Sequence, residues 1–112
     1  MAFGFNNDKT KSIDIQKMIN DTYITRTETK NNVTFSRVTC VTFTLLDMYA
    51  YEPMGIIQIK GLNDMGVSSF YFEKMNDNVY NCYIFVSNLT GNNKTANISI
   101  TVLCKKKENV VP

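Results

Sequence analysis

"NCYIFVSNLTGNNKTANISITVLCKKK", residues 81–107, is the stretch that decides the fold class. Its first third alternates around Cys82, Ile84 and Val86 while also carrying Tyr83 and Phe85, so both faces are apolar. That is the pattern of a central strand. "SNLTGNNKT" is turn chemistry, rich in Asn, Gly and Thr. "ANISITVLC" then alternates strictly: Ala96, Ile98, Ile100, Val102 and Cys104 on one face, Asn97, Ser99, Thr101 and Leu103 on the other. The stretch reads as a β-hairpin with its first-named face in a core. The outward set is left to solvent or to a neighbouring subunit.

The same period of two runs outward from it. "VYNCYIFV" (79–86) is preceded by the Asx turn "NDN" (76–78) and by "VSSFYFEKM" (67–75). "MGIIQIKG" (54–61) is a short strand between glycines. Pro53 bars a central-strand assignment for "DMYAYEP" (47–53), which reads as a connection. Upstream, "TYITRTET" alternates, "KNN" (30–32) turns, and "VTFSRVTCVTFTLL" (33–46) is one long strand. Val33, Phe35, Val41, Phe43 and Leu45 share one parity, Val38 and Cys40 the other. A change of phase near Arg37 is expected, at a bulge or bend where the strand crosses between sheets. Strands are therefore predicted at 22–29, 33–46, 55–60, 67–74, 79–86 and 96–104. The fold class is all-β, an antiparallel, jelly-roll-like β-sandwich.

A chain of 112 residues forms one domain, divided here into an arm (1–20), the sandwich (21–107) and a solvated tail (108–112). In the arm, "SIDIQKMIN" (12–20) fits a short helix capped by Ser12, or a strand continuing into "DTYITRTET". Phe3 and Phe5 stand out in an otherwise polar segment, which packs them on the domain or on a partner.

Little in the composition points to chemistry. The net charge of +2 argues for neither nucleic acid nor membrane as partner. No apolar run approaches the roughly 20 residues that span a bilayer. The start carries no secretory leader, so the chain is expected to be made in a cytosol. There is no histidine, which removes His-based nucleophile pairs and His-ligated metals. No phosphate loop is present, and no metal or cofactor is expected. Asp64, Glu73, Asp77 and Glu52 lie in or next to turns and read as solvated acids. No catalytic residues are assigned and the chain is read as no enzyme. Cys40, Cys82 and Cys104 are odd in number and lack CxxC spacing, and all are expected to be buried free thiols.

Five N-x-[ST] triplets occur, beginning at Asn20, Asn32, Asn88, Asn93 and Asn97. Without a leader they read as turn chemistry in an Asn-rich chain. The aromatic cluster of Phe70, Tyr71, Phe72, Tyr80, Tyr83 and Phe85 reads first as core packing. Tyr71 and Tyr83 are the candidates for a surface platform that stacks on a sugar.

"MGIIQIKGLND", "GVSSFYFEKMNDNVYNCYIFVSNLTGNNKTANISITVLCKKK" and the opening "MAFGFNNDKTK" together resemble small structural β-proteins of tailed bacteriophages of Firmicutes. The resemblance covers residues 1–11 and 54–107 and is a pattern of strands and turns without catalytic signature. Cys104 stands where such modules carry an aromatic. The resemblance implies a head fibre, capsid decoration protein or tail or baseplate appendage of a virion. It implies a homotrimer attached through its arm, with Phe3 and Phe5 at the attachment. The alternative is a carbohydrate- or receptor-binding module meeting a host surface glycan.

Overall fold

The computed structural model describes residues 22–108. The arm with Phe3 and Phe5, the helix or strand over 12–20, the Asn20 triplet and the tail beyond Glu108 lie outside the described residues. Six strands follow in order: β1 (Tyr23–Phe35), β2 (Val38–Leu45), β3 (Tyr51–Lys60), β4 (Gly66–Asn76), β5 (Val79–Ser87) and β6 (Lys94–Lys106). They make two antiparallel three-stranded sheets, ordered β1-β6-β3 and β2-β5-β4. The expected β-sandwich is what forms.

Only β4 and β5, neighbours in sequence, pair directly. Every other connection carries the chain from one sheet to the other. The molecule is thus a three-stranded ribbon folded over, with β1 above β2, β6 above β5 and β3 above β4. This corrects the hairpin reading of 81–107: β5 and β6 are each the centre of a different sheet, joined by an arch. A polar turn of six residues can serve either geometry. Here the two inward faces, Cys82, Ile84 and Val86 on β5 and Ile98, Ile100, Val102 and Cys104 on β6, bury each other. Each such aliphatic side chain contributes about 1.5–3 kcal/mol on burial, which favours stacking the strands over laying them side by side.

The long 33–46 strand does cross between sheets, at Ser36 and Arg37. The phase change is not there. Phe35 ends β1 facing inward, and Val41, Phe43 and Leu45 face inward on β2 with the same parity. The switch lies at the "KNN" segment, which is a bulge inside β1 and not a turn. Lys30 faces Ile98 and Val33 faces Ala96, so Asn31 and Asn32 together oppose Asn97. Asn32 takes the left-handed φ of 57° that asparagine tolerates, and its N–H donates to Asn97 Oδ1 at 2.9 Å. Before the bulge the inward parity is even, with Ile24, Arg26 and Glu28; after it, odd, with Val33 and Phe35.

β3 begins at Tyr51, four residues before the expected start, because Tyr51 and Glu52 pair with Lys106 and Lys105. Pro53 is tolerated as expected of an edge strand, beside a bulge. Lys105 and Lys106 accordingly belong to β6, two residues beyond its predicted end at 104. Of the cysteines, Cys82 and Cys104 are buried, but Cys40 is exposed, because its even parity on β2 turns it outward.

Candidate functional site

The β4–β5 hairpin places Tyr71 directly opposite Tyr83. Even positions face the core on β5 and, after the bulge at 67–69, on β4, so the two odd-numbered rings stand on the outer face of the β2-β5-β4 sheet. Their centroids are 4.8 Å apart with planes 28° from parallel. Phe85 continues the row, 6.2 Å from Tyr71 and tilted by 22°. The sequence-predicted pair is therefore brought together, but each ring covers one face of the other. Tyr71 keeps 51% of its surface exposed.

A chain of polar bonds runs under the rings across all three strands. Thr44 Oγ1 donates to Asn81 Oδ1 at 2.9 Å, Asn81 Nδ2 donates to the Tyr83 hydroxyl at 3.2 Å, and that hydroxyl donates to Glu73 Oε1 at 2.7 Å. The bond to the Glu73 carboxylate is the main reason the Tyr83 phenol is pushed above its ordinary value; the Asn81 amide works in the opposite direction. Tyr83 is thus a fixed donor committed to Glu73. Glu73, read from sequence as turn-proximal, sits within β4.

The end where the arches lie carries an arrangement that sequence reasoning missed. Asn88 is buried, and its Nδ2 donates to the carbonyls of Phe35 at 3.0 Å and of Asn92 at 2.8 Å. Its Oδ1 accepts from Thr90 N–H and Thr90 Oγ1 at 3.1 and 2.7 Å. Asn88 N–H donates to Arg37 O at 2.9 Å. The Asn88-Leu89-Thr90 triplet is therefore an Asx turn locking the β5–β6 arch onto the β1–β2 arch. The signal was present in the sequence as Asn two places before Thr. An open hollow of about 340 Å³ lies beside it, lined by Arg37, Asn88, Leu89, Gly91, Asn92 and Asn93.

At the opposite end, a shallow cleft of about 460 Å³ lies beside Lys74, Lys105, Lys106 and Lys107, with Glu52 and Glu108 among them. Lys107 folds back over the Tyr80 ring, 5.2 Å from its centroid, and its Nζ donates to Asp77 O at 3.1 Å. Comparison with known protein families, with curated proteins and with solved structures finds no significant match. The chemistry of the described residues thus has to be read from this geometry. Among them no group of three His, Cys, Asp or Glu side chains converges to hold a metal. No helix there is long and apolar enough to cross a membrane.

On the outer face of the other sheet, hydroxyls pair across strands. Thr27 meets Thr101 at 3.2 Å, Thr29 meets Ser99 at 2.7 Å and Thr34 meets Thr95 at 3.3 Å. Such pairs stabilise the sheet modestly, by about 0.2–1 kcal/mol each. Among the described residues no buried side-chain nitrogen or oxygen lacks a partner.

Proposed function

We propose that this chain is a non-enzymatic structural protein of a bacteriophage virion, a small fibre or decoration protein that acts by associating with other protein surfaces and is attached through its N-terminal arm. The observation that carries this reading is how the polar side chains are used. Among the described residues, Asn88, Tyr83, Glu73, Asn81 and the paired hydroxyls are committed to one another or to the backbone. The apolar side chains left exposed include Met54 and Ile57 on β3 and Phe70 and Met75 on β4, two edge strands on the same side of the sandwich. Exposed apolar side chains along two edge strands are surface available for protein contacts. The glycan-binding alternative would use the part of the Tyr71 ring that stacking on Tyr83 leaves exposed.

The test is to locate the chain on purified particles by immunogold electron microscopy and to compare the full chain with a truncation lacking residues 1–11. The truncated protein should fold and be missing from particles. Wild-type occupancy by the truncation would overturn attachment through Phe3 and Phe5. Absence of the full chain from every particle would overturn the virion assignment.

A further inference from the structure

Among the described residues four strands are sheet edges: β1 and β3 in one sheet, β2 and β4 in the other. An open edge offers unpaired N–H and C=O groups to any passing strand, and natural edges carry devices that prevent such pairing. Three of the four edges here carry them. β1 has the bulge at Asn31–Asn32 and turns two charged side chains inward, Arg26 opposite Val102 and Glu28 opposite Ile100. β3 has Pro53 and two bulges, at 53–55 and 56–58. β4 has two bulges, at 67–69 and 74–76, and the charges of Glu73 and Lys74.

β2 has none of these. Its sequence, VTCVTFTL, contains no charged residue and no proline, and it runs against β5 in unbroken register from Val38–Ser87 to Leu45–Tyr80. The bond from Asn88 N–H to Arg37 O continues that ladder by one pair and fixes its phase. Odd residues of β2 direct their backbone groups to β5, so Val38, Cys40, Thr42 and Thr44 direct theirs to the open edge. The side chains of these four stand on the outer face, and Val38 is 62% exposed.

We infer that the open edge of β2 pairs with β2 of a second copy, joining two sandwiches through one continuous six-stranded antiparallel sheet. A two-fold axis lays this strand antiparallel to itself, which the ladder requires, and the interface is self-complementary. An uncharged strand meets its own copy without like-charge repulsion. Pairing must join even residues to even residues. The register with Thr42 opposite the partner's Thr42 also sets Cys40 against the partner's Thr44, and the ladder ends there, because Leu46 O accepts from Arg26 Nη1 at 2.7 Å and Val38 O accepts from Ser36 Oγ at 3.4 Å. Odd residues then keep facing the core in both copies. The inference rests on the associative part of the reading above and not on the virion. The family resemblance implied a trimer; a strand that pairs with itself closes after two copies, so mass separates the two.

Sedimentation equilibrium of the purified full chain, with no particle present, tests this. Wild type should be a dimer. Thr42→Lys should raise the dissociation constant tenfold or more with its circular dichroism unchanged, whereas Gln58→Lys on the guarded β3 edge should leave it unaltered. As a check independent of that variant's folding, Thr42→Cys in a Cys40→Ser background should oxidise to a covalent dimer. Cα atoms facing in a hydrogen-bonded pair lie about 5.5 Å apart, within disulfide reach. Wild-type Cys40 is displaced by four residues from the partner's Cys40 and should not bridge. A monomer at the highest attainable concentration overturns the proposal. So does a trimer, or a dimer that Thr42→Lys does not weaken and Thr42→Cys does not trap.

Discussion

Asn88 settles how two arches meet, and it does so with one amide group. Its two donors hold carbonyls from different segments, Phe35 and Asn92, and its acceptor holds Thr90. Removing the amide in Asn88→Ala takes the side-chain donor from Phe35 O, beside a buried ring, while Asn92 O keeps Thr90 Oγ1 at 3.1 Å. The expected loss is about 1–3 kcal/mol, the desolvation cost of an orphaned buried polar group. Asn93→Ala, at an exposed position of the same arch, should stay within about 0.5 kcal/mol. Urea unfolding midpoints compare the two directly. The same geometry bears on the Asn-x-Thr pattern: a glycan joined at Asn88 Nδ2 replaces one of its two hydrogens and so removes one of its two donated bonds. From sequence, turn chemistry was legible at this site but its partner was not, since Phe35 lies 53 positions away.

Among the elements, β6 was the most readable. Ile98, Ile100 and Val102 face the core as their alternation required, each fully buried. Ile100→Ala should cost about 2–5 kcal/mol in denaturant unfolding, and a loss under about 0.5 kcal/mol would show that its burial contributes nothing. Alternation reports which side chains share a face. It is silent on which strand lies opposite, and that is why the β5–β6 arch was read as a hairpin. The bulge in β1 escaped for a related reason, since "KNN" has the composition of a turn and only the pairing with Asn97 shows the chain running straight through. Tyr71 and Tyr83 could be picked out because parity put them on the outer face. The bonds from Thr44 through Asn81 to Glu73 depend on registers between three strands and left no pattern in the sequence.

At the scale of the whole molecule, the buried thiols set an alkaline limit. Burial pushes Cys82 up to about 11 from 9.0 and raises Cys104 in the same direction. A thiol that holds its proton more tightly folded than unfolded leaves stability intact below the unfolded value and removes it as pH rises through the folded one. Stability should therefore fall between about pH 9 and pH 11, by on the order of 2–3 kcal/mol from Cys82. Melting curves across that range should show the decline in wild type and a shallower one in Cys82→Ala. An identical decline in both would remove Cys82 as its cause.

The position of β6 has a consequence for how the chain is made. The last strand of the sandwich is the middle of its sheet, with β1 and β3 on its two sides. As the chain leaves a ribosome, β2, β4 and β5 can assemble their whole sheet from residues 38–87. β1 and β3 have emerged by then but have nothing between them to pair with. Until Lys94–Lys106 follows, the finished sheet presents Phe43, Ile84 and Val86 to solvent with no opposite layer. Nascent chains in this condition are prone to aggregate. Translation that stalls before β6 thus releases half a sandwich with its core face open.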